Sequence, residues 1–232
     1  MIHVYCIRVE TPNVSVSRLE AQIRAFADEL PDAKRGRVLQ IRPRQSRLNS
    51  ALGWQLLKFA LHECGYSDFT LSQLLFDADR KPRWPRQDCD FNLSHSGSLV
   101  ACALTKTGRV GVDIEVIRPV QAAALLRRIL SPREDTPAQT DDQTFFRLWT
   151  QKEAVIKAEG NGGVWDMRHV HLDGLTAGYK ESRWYLYPLR LAAGCVAHVA
   201  GDIRDRSITI HQVSIERLLK LEGASDQARQ MV

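Results

Sequence analysis

The chain has 232 residues, 44% hydrophobic and 25% charged, enough to bury one large core or two small ones, which excludes a disordered tail and a disulfide-stapled miniprotein. Its net charge of +5 suggests a polyanionic partner, and ten of its basic residues fall in two short segments: Lys34, Arg35, Arg37, Arg42, Arg44 and Arg47, then Arg80, Lys81, Arg83 and Arg86. The other 22 basic residues face 27 acidic ones, so the positive charge is local, the pattern of an anion site rather than of a cationic surface.

In chain order, His3 to Val9 alternates as a strand, and Ser17 to Leu30 reads as a helix with Ser17 and Glu20 as a capping box. Arg44 to Cys64 carries a second helical pattern ended by Cys64-Gly65. Strands follow at Phe91 to Ser94, Leu99 to Thr105 and Arg109 to Ile117, read together as a small antiparallel sheet. Arg118-Pro119 interrupts the pattern. Gln121 to Leu130 and Asp141 to Glu159 are helical, the latter stopped by Gly160-Asn161-Gly162-Gly163. The period then returns to two at Arg168 to Leu172, Arg183 to Tyr187, Cys195 to Ala200 and Ser207 to Val213. This order of elements predicts an α+β chain of two lobes, 1–117 and 118–222, with a polar tail at 223–232.

Five scattered cysteines without a CxxC spacing indicate neither a disulfide framework nor a zinc knuckle, which suits a reducing cytoplasm. The start MIHVYCIRVE lacks the features of a signal peptide, and no apolar run is long enough to span a bilayer. A cytoplasmic location without a membrane partner is expected.

Three short segments carry chemistry. In Arg109 to Val116 the side chains of Val110, Val112, Ile114 and Val116 share one face of a strand, while Gly111, Asp113 and Glu115 share the other. The two carboxylates stand about 7 Å apart at the backbone, close enough to reach one hard cation, on a face that Gly111 leaves uncovered. Within FFRLWTQKEAVIK, Glu153 and Lys157 lie one turn apart on one helix face, over a buried stripe of Phe145, Leu148, Trp149 and Ile156. Asn92-Leu93-Ser94-His95-Ser96-Gly97 sets a hydroxyl and an imidazole at a glycine-containing turn, suited to holding a phosphate. Each segment alone also fits a bland reading: solvated outer carboxylates, a surface ion pair, an ordinary turn.

Taken together, NLSHSG, GVDIE and LWTQKEAVIKAEG, with Lys81-Pro82 upstream, resemble a 4′-phosphopantetheinyl transferase of the Sfp type, in recognisable form from about Lys34 to Gly163. The resemblance implies a pseudo-dimeric monomer of two similar lobes. Between them it places Mg²⁺ and coenzyme A, whose phosphopantetheine arm moves to a serine of an apo acyl or peptidyl carrier protein with release of adenosine 3′,5′-bisphosphate. It assigns Asp113, Glu115 and Glu153 to the metal, Glu153 to the base, and Lys157 to the pyrophosphate. Ser94 and His95 become phosphate contacts, with His95 counted among the catalytic residues, and Lys81, Lys34, Arg37 and Ser50 bind coenzyme A. Two positions depart from the family pattern: Arg80 where a glycine precedes Lys81-Pro82, and Asn49 where an arginine is frequent. An all-carboxylate set suits Mg²⁺ better than zinc. The runner-up reading is a nucleic-acid-binding protein, motivated by the basic segments; against it, the charge outside those segments is negative and no nucleic-acid-binding signature is present, so no nucleic-acid partner is expected. A metal-dependent phosphodiesterase using the same carboxylates is a third reading.

Overall fold

The computed structural model describes residues 1–9, 16–76 and 81–218. Strand β1 (Ile2–Arg8) is followed by helices α1 (Val16–Asp28), α2 (Asp32–Leu39) and α3 (Arg44–Glu63), then by β2 (Asp90–Ser96), β3 (Leu99–Thr105) and β4 (Val110–Val116). Helices α4 (Ala122–Ile129) and α5 (Asp142–Glu159) precede β5 (His171–Asp173), β6 (Thr176–Tyr179), β7 (Ser182–Leu189), β8 (Cys195–Gly201) and β9 (Ile208–Gln212). Arg80 and the 223–232 tail lie outside the described residues.

The strands form two sheets, ordered β2-β3-β1-β9 and β4-β8-β7-β6-β5. Ladders within them are antiparallel except β1 with β9, which is parallel and brings Ile208 beside Ile2. The sheets pack face to face. Ile2, Val4, Cys6, Ala101 and Ala103 of the first meet Val110, Val112, Ile114, Ala197 and Val199 of the second. The alternate residues Tyr5, Ile7, Val100, Cys102 and Leu104 turn the other way and pack against α1 and α3. Trp184, Leu186 and Ala200 of the second sheet pack against α4 and α5. The order is helices, sheet, sheet, helices. This is why β3 reads LVACALT without alternation: it is covered on both faces and every residue is buried. Mixed α+β architecture with two mainly antiparallel sheets is thus what the sequence led us to expect.

Helix α5 has the sharpest ends. Asp141 caps it by accepting from Thr144 N at 2.8 Å, and Gly160 closes it in the left-handed region at φ 87°.

Four expectations are corrected. Strand β4 does not join β2 and β3 in one sheet; its ladder is with β8. The edge it turns to β2 is satisfied by side chains instead. Asp90, Asn92, Ser94 and Ser96, alternate residues of β2, accept from the backbone N–H of Val110, Val112, Ile114 and Val116 at 2.7, 3.0, 3.3 and 3.1 Å. A polar period-two run on β2 therefore zips the two sheets along one seam, and a division of sheets at residue 117 does not exist, since β4 belongs to the second sheet and β9 to the first. Helix α1 is already under way at Val16, so Ser17 lies inside it rather than at its start, and Glu20 pairs with Arg44 and Arg47. The stretch from Arg168 begins in a 3₁₀ turn, Val164–His169, before β5. Finally, the face of Gly111 is covered: a Cβ there would lie 2.1 Å from Ala154 O and 2.5 Å from Ala158 N. Glycine at 111 lets the backbone of α5 settle directly on β4.

Candidate active site

That close approach builds the site. With β4 pressed on α5, the face bearing Gly111, Asp113 and Glu115 looks at the helix face bearing Glu153 and Lys157, and the seam adds the β2 side chains. Lys157 Nζ donates to Asp113 Oδ1 at 2.6 Å and to Ser94 Oγ at 3.2 Å, while Ser94 Oγ donates to Asp113 Oδ1 at 2.9 Å. One residue pair further along, Ser96 Oγ donates to Glu115 Oε2 at 2.8 Å, and Arg118 donates to the same oxygen at 2.8 Å. Each β4 carboxylate is thus held between a serine of β2 and one cation.

The set remains incomplete. Asp113 Oδ2 and Glu153 Oε1 are buried and have no hydrogen-bond partner, an arrangement that is costly unless a further positive charge or donor arrives. Burial raises the Glu153 carboxyl to about 7; the nearby charges of Asp113 and Glu115 push the same way, against Lys157. Asp113 is also raised, because burial outweighs its contacts with Lys157 and Ser94. Among the described residues no three His, Cys, Asp or Glu side chains are grouped closely enough to hold a metal ion as they stand, and Lys157 and Arg118 pair with two of the three carboxylates.

A cleft opens beside this cluster. On one wall are Lys34 and Arg37 of α2 with Phe76; on the other are Glu153, Lys157 and the backbone from Gly160 to Val164. It continues past Lys81, Pro82 and Asn92 into a hollow lined by Ser50, Trp54, Ser94 and His95. The structure therefore gathers every site residue singled out in the sequence except Glu115 and Asp113 as lining of this cleft; Asp113 lies against Lys157, and Glu115 next along β4 against Ser96 and Arg118. Lys34 Nζ sits 4.9 Å from the Trp54 ring centroid and 5.8 Å from that of Phe76. Burial, with Arg37 nearby, holds its ammonium below the ordinary lysine pKa. His95 is likewise lowered, first by its crowded position and then by the charge of Lys157.

Lys81 is placed differently from a free phosphate contact. Its ammonium turns inward to Asp90 Oδ2 at 2.5 Å and Val110 O at 2.6 Å, and its backbone N–H donates to Gly160 O at 2.8 Å. It ties the end of α5 to the seam, and its stem lines the cleft. Asn49 donates to Gly97 O at 2.8 Å, fixing the turn after β2. Much of the basic charge is spent locally: Arg35 pairs with Asp28 and Asp32, Arg44 and Arg47 with Glu20, and Arg86 with Asp68 and Asp88. Among the described residues Lys34 and Arg37 make no ion pair, which leaves them available to a ligand. Sequence reasoning missed Asn92, Ser96 and Arg118; the polar alternation Asp90-Asn92-Ser94-Ser96 was the available signal for the first two.

Residues 109–206 match the model of the 4′-phosphopantetheinyl transferase superfamily. Among curated proteins, the 4′-phosphopantetheinyl transferase HetI of Nostoc sp. is 32% identical over 177 residues, covering 69% of this chain and 69% of that protein. AcpT of Escherichia coli, of the same named activity, is 38% identical over 104 residues, 42% of this chain and 53% of the relative. The transferase psf-1 of Bacillus pumilus is 36% identical over 119 residues, 48% and 49% respectively. The matched stretch spans about half the length of the last two. Among the described residues no helix is long and apolar enough to cross a membrane.

Proposed function

The chain belongs to the 4′-phosphopantetheinyl transferase superfamily, whose enzymes move the phosphopantetheine arm of coenzyme A to a serine of a carrier protein, and we propose that it carries out this transfer in the cleft between α2 and α5. The observation that carries the assignment is one cleft with Lys34 and Arg37, free of ion pairs among the described residues, on one wall and Glu153 and Lys157 on the other, beside two buried carboxylate oxygens without partners. Such a cleft suits a small polyanion bound next to a hard cation.

The carboxylates fit a divalent cation: the donors are all oxygen, and the orphaned Asp113 Oδ2 and Glu153 Oε1 are what an arriving positive charge would satisfy. Asp113, Glu115 and Glu153 would hold Mg²⁺, which when bound supplies neutralisation of the pyrophosphate oxygens and of the departing phosphate. The chain's own residues do the rest. Lys34 and Arg37 meet the phosphate groups of the adenosine end, with Ser50 beside them, and Lys157 reaches the pyrophosphate next to Asp113. Ser94 and His95 orient the phosphate on the β2 side, and Lys81 fixes the wall against which the nucleotide lies. The serine hydroxyl of the carrier attacks the phosphorus that bears the pantetheine arm, Glu153 takes its proton, and the bond to the 5′-phosphate breaks, releasing adenosine 3′,5′-bisphosphate.

We place this activity in a reducing cytoplasm and in a monomer, with an acyl or peptidyl carrier as protein partner; the five free cysteines agree with that compartment. The test is incubation of the protein with coenzyme A, Mg²⁺ and a panel of apo carriers, read by mass spectrometry. One phosphopantetheine added per carrier is expected, with Glu153→Gln reducing the rate by about 10²–10⁴-fold. No adduct on any carrier with the folded protein, or hydrolysis of coenzyme A without a carrier, overturns the assignment.

A further inference from the structure

The 3₁₀ turn Val164–His169 carries the most exposed large apolar side chain among the described residues. Trp165 is 80% exposed, and Val164 beside it is 54% exposed although it also lines the cleft. The ring is nevertheless held. A Cβ at Gly163 would lie 2.5 Å from Trp165 Cη2, while the backbone of Gly163 is extended, at φ −147°, so the ring and not the chain direction calls for glycine there. The turn beneath is fixed from both ends. Asp166 Oδ2 accepts from Gly163 N at 2.9 Å, and the buried ammonium of Lys152 donates to Met167 O at 3.2 Å and Val170 O at 2.7 Å. Side chains three apart eclipse in a 3₁₀ turn, which sets Arg168 on the side of Trp165. Arg168 is exposed and makes no ion pair among the described residues.

An exposed tryptophan on a rigid mount, with an arginine beside it, has the composition of an interface anchor rather than of open surface. Its place in the fold names the interface. From Glu153 to Gly160, where this wall of the cleft leaves α5, is about 10 Å by helix rise. Across the mouth Phe76 lines the opposite wall, and its neighbour Leu75 is 40% exposed. A protein that delivers a serine to Glu153 makes a contact of about 800 Å² on each partner, roughly 30 Å across, and so lies on this rim. We propose that Trp165 is the anchor that seats the carrier protein, its ring against an apolar patch next to the acceptor serine and Arg168 against an acidic group there. The inference deepens the proposed function and rests on it in taking a carrier protein as the partner and Glu153 as the end point of its serine. A ring held in place before binding loses little freedom when it is covered, so its burial goes to affinity.

The experiment measures binding without transfer. Each apo carrier of the panel, with its acceptor serine replaced by alanine and carrying a fluorophore, is titrated with the protein in the presence of coenzyme A and Mg²⁺ and read by fluorescence anisotropy. Trp165→Ala should weaken binding by about 30-fold and Trp165→Phe by less. Arg168→Glu should weaken it by about three- to tenfold, a loss that shrinks at high salt. The melting temperature of Trp165→Ala and its affinity for coenzyme A, by calorimetry, should both stay at the wild-type values. Unchanged carrier binding in Trp165→Ala overturns the inference, as does a wild-type protein that binds no carrier. A loss of coenzyme A affinity would assign the ring to the nucleotide, and a wild-type dimer that Trp165→Ala splits, seen by sedimentation, would assign it to a second copy; either result overturns the inference. Carriers that bind through Trp165 but are never modified would sink the assigned reaction alone, whereas modified carriers that bind Trp165→Ala as tightly as wild type would sink the docking site alone.

Discussion

Two lysines five residues apart on α5 end in opposite kinds of surroundings. Lys152 is 0% exposed and faces the second core, where its ammonium donates to Glu134 Oε2 at 2.7 Å, Val170 O at 2.7 Å and Met167 O at 3.2 Å. Glu134 in turn accepts from the backbone N–H of Ser131 and Leu172, both at 2.7 Å. That network is closed, with every ammonium proton and both carboxylate oxygens used. Lys157 faces β4 and the cleft, and its cluster leaves Asp113 Oδ2 and Glu153 Oε1 without partners. A closed buried network fixes structure, because nothing further can bind to it; an open one stores a demand for charge that only a ligand meets. One helix thus anchors the second core with one face and exposes the chemistry with the other.

The largest effect expected from breaking this contrast is on the closed side. Lys152→Met removes one partner of a buried pair and strands Glu134, so stability should fall by about 3–5 kcal/mol, measured by urea unfolding. The double variant with Glu134→Gln should recover part of the loss. A Lys152→Met protein as stable as wild type would show that the network is not an anchor. Next is the approach of α5 to β4. Gly111→Ala sets a Cβ against Ala154 O and the Ala158 backbone, where neither helix backbone atom can move aside alone. A loss of about 3 kcal/mol is expected from overpacking, together with lower transfer, as the faces bearing Asp113 and Glu153 separate. Full activity in a folded Gly111→Ala protein would mean that the two faces need not be held so closely.

The sequence carries the strands and helices because their periods are local: β1, β7 and β8, and the capped, glycine-terminated α5, lie where alternation and capping place them. It does not carry sheet membership for β4. An edge whose N–H groups are taken by Asp90, Asn92, Ser94 and Ser96 looks in sequence like an ordinary strand ready to pair with its neighbour. The short β6 lacks the length for a clear period. At the site, Asp113, Glu153 and Lys157 were legible because strand and helix spacings fix their faces. The inward turn of Lys81 and the burial of Lys152 depend on partners far away in sequence, Asp90 and Glu134. A lysine beside a glutamate on a helix, as at 152 and 153, gives no sign of which one is buried.

The smallest expected effect probes the open side through pH. Glu153 titrates at about 7 in the folded protein, against an ordinary value near 4.3 when unfolded. Between these values the folded state holds a proton that the unfolded state has released, so metal-free protein loses stability as pH rises from about 4.5 to 7 and stays at the lower level above that. Glu153→Gln removes this dependence. It should stabilise the metal-free protein by about 2 kcal/mol at pH 8, roughly half of the ~3.7 kcal/mol that the full shift would give because Glu153 opens onto the cleft, and by almost nothing at pH 4.5, where the wild-type carboxyl is protonated in the fold. Thermal unfolding of both proteins in the presence of a chelator at the two pH values measures the difference. Equal stability at pH 8 would show that Glu153 finds a partner when ionised, and the demand for a cation would then rest on Asp113 alone. Adding Mg²⁺ at pH 8 should narrow the gap between the two proteins, because a cation satisfies the charge of Glu153 and gains less from the amide of Gln.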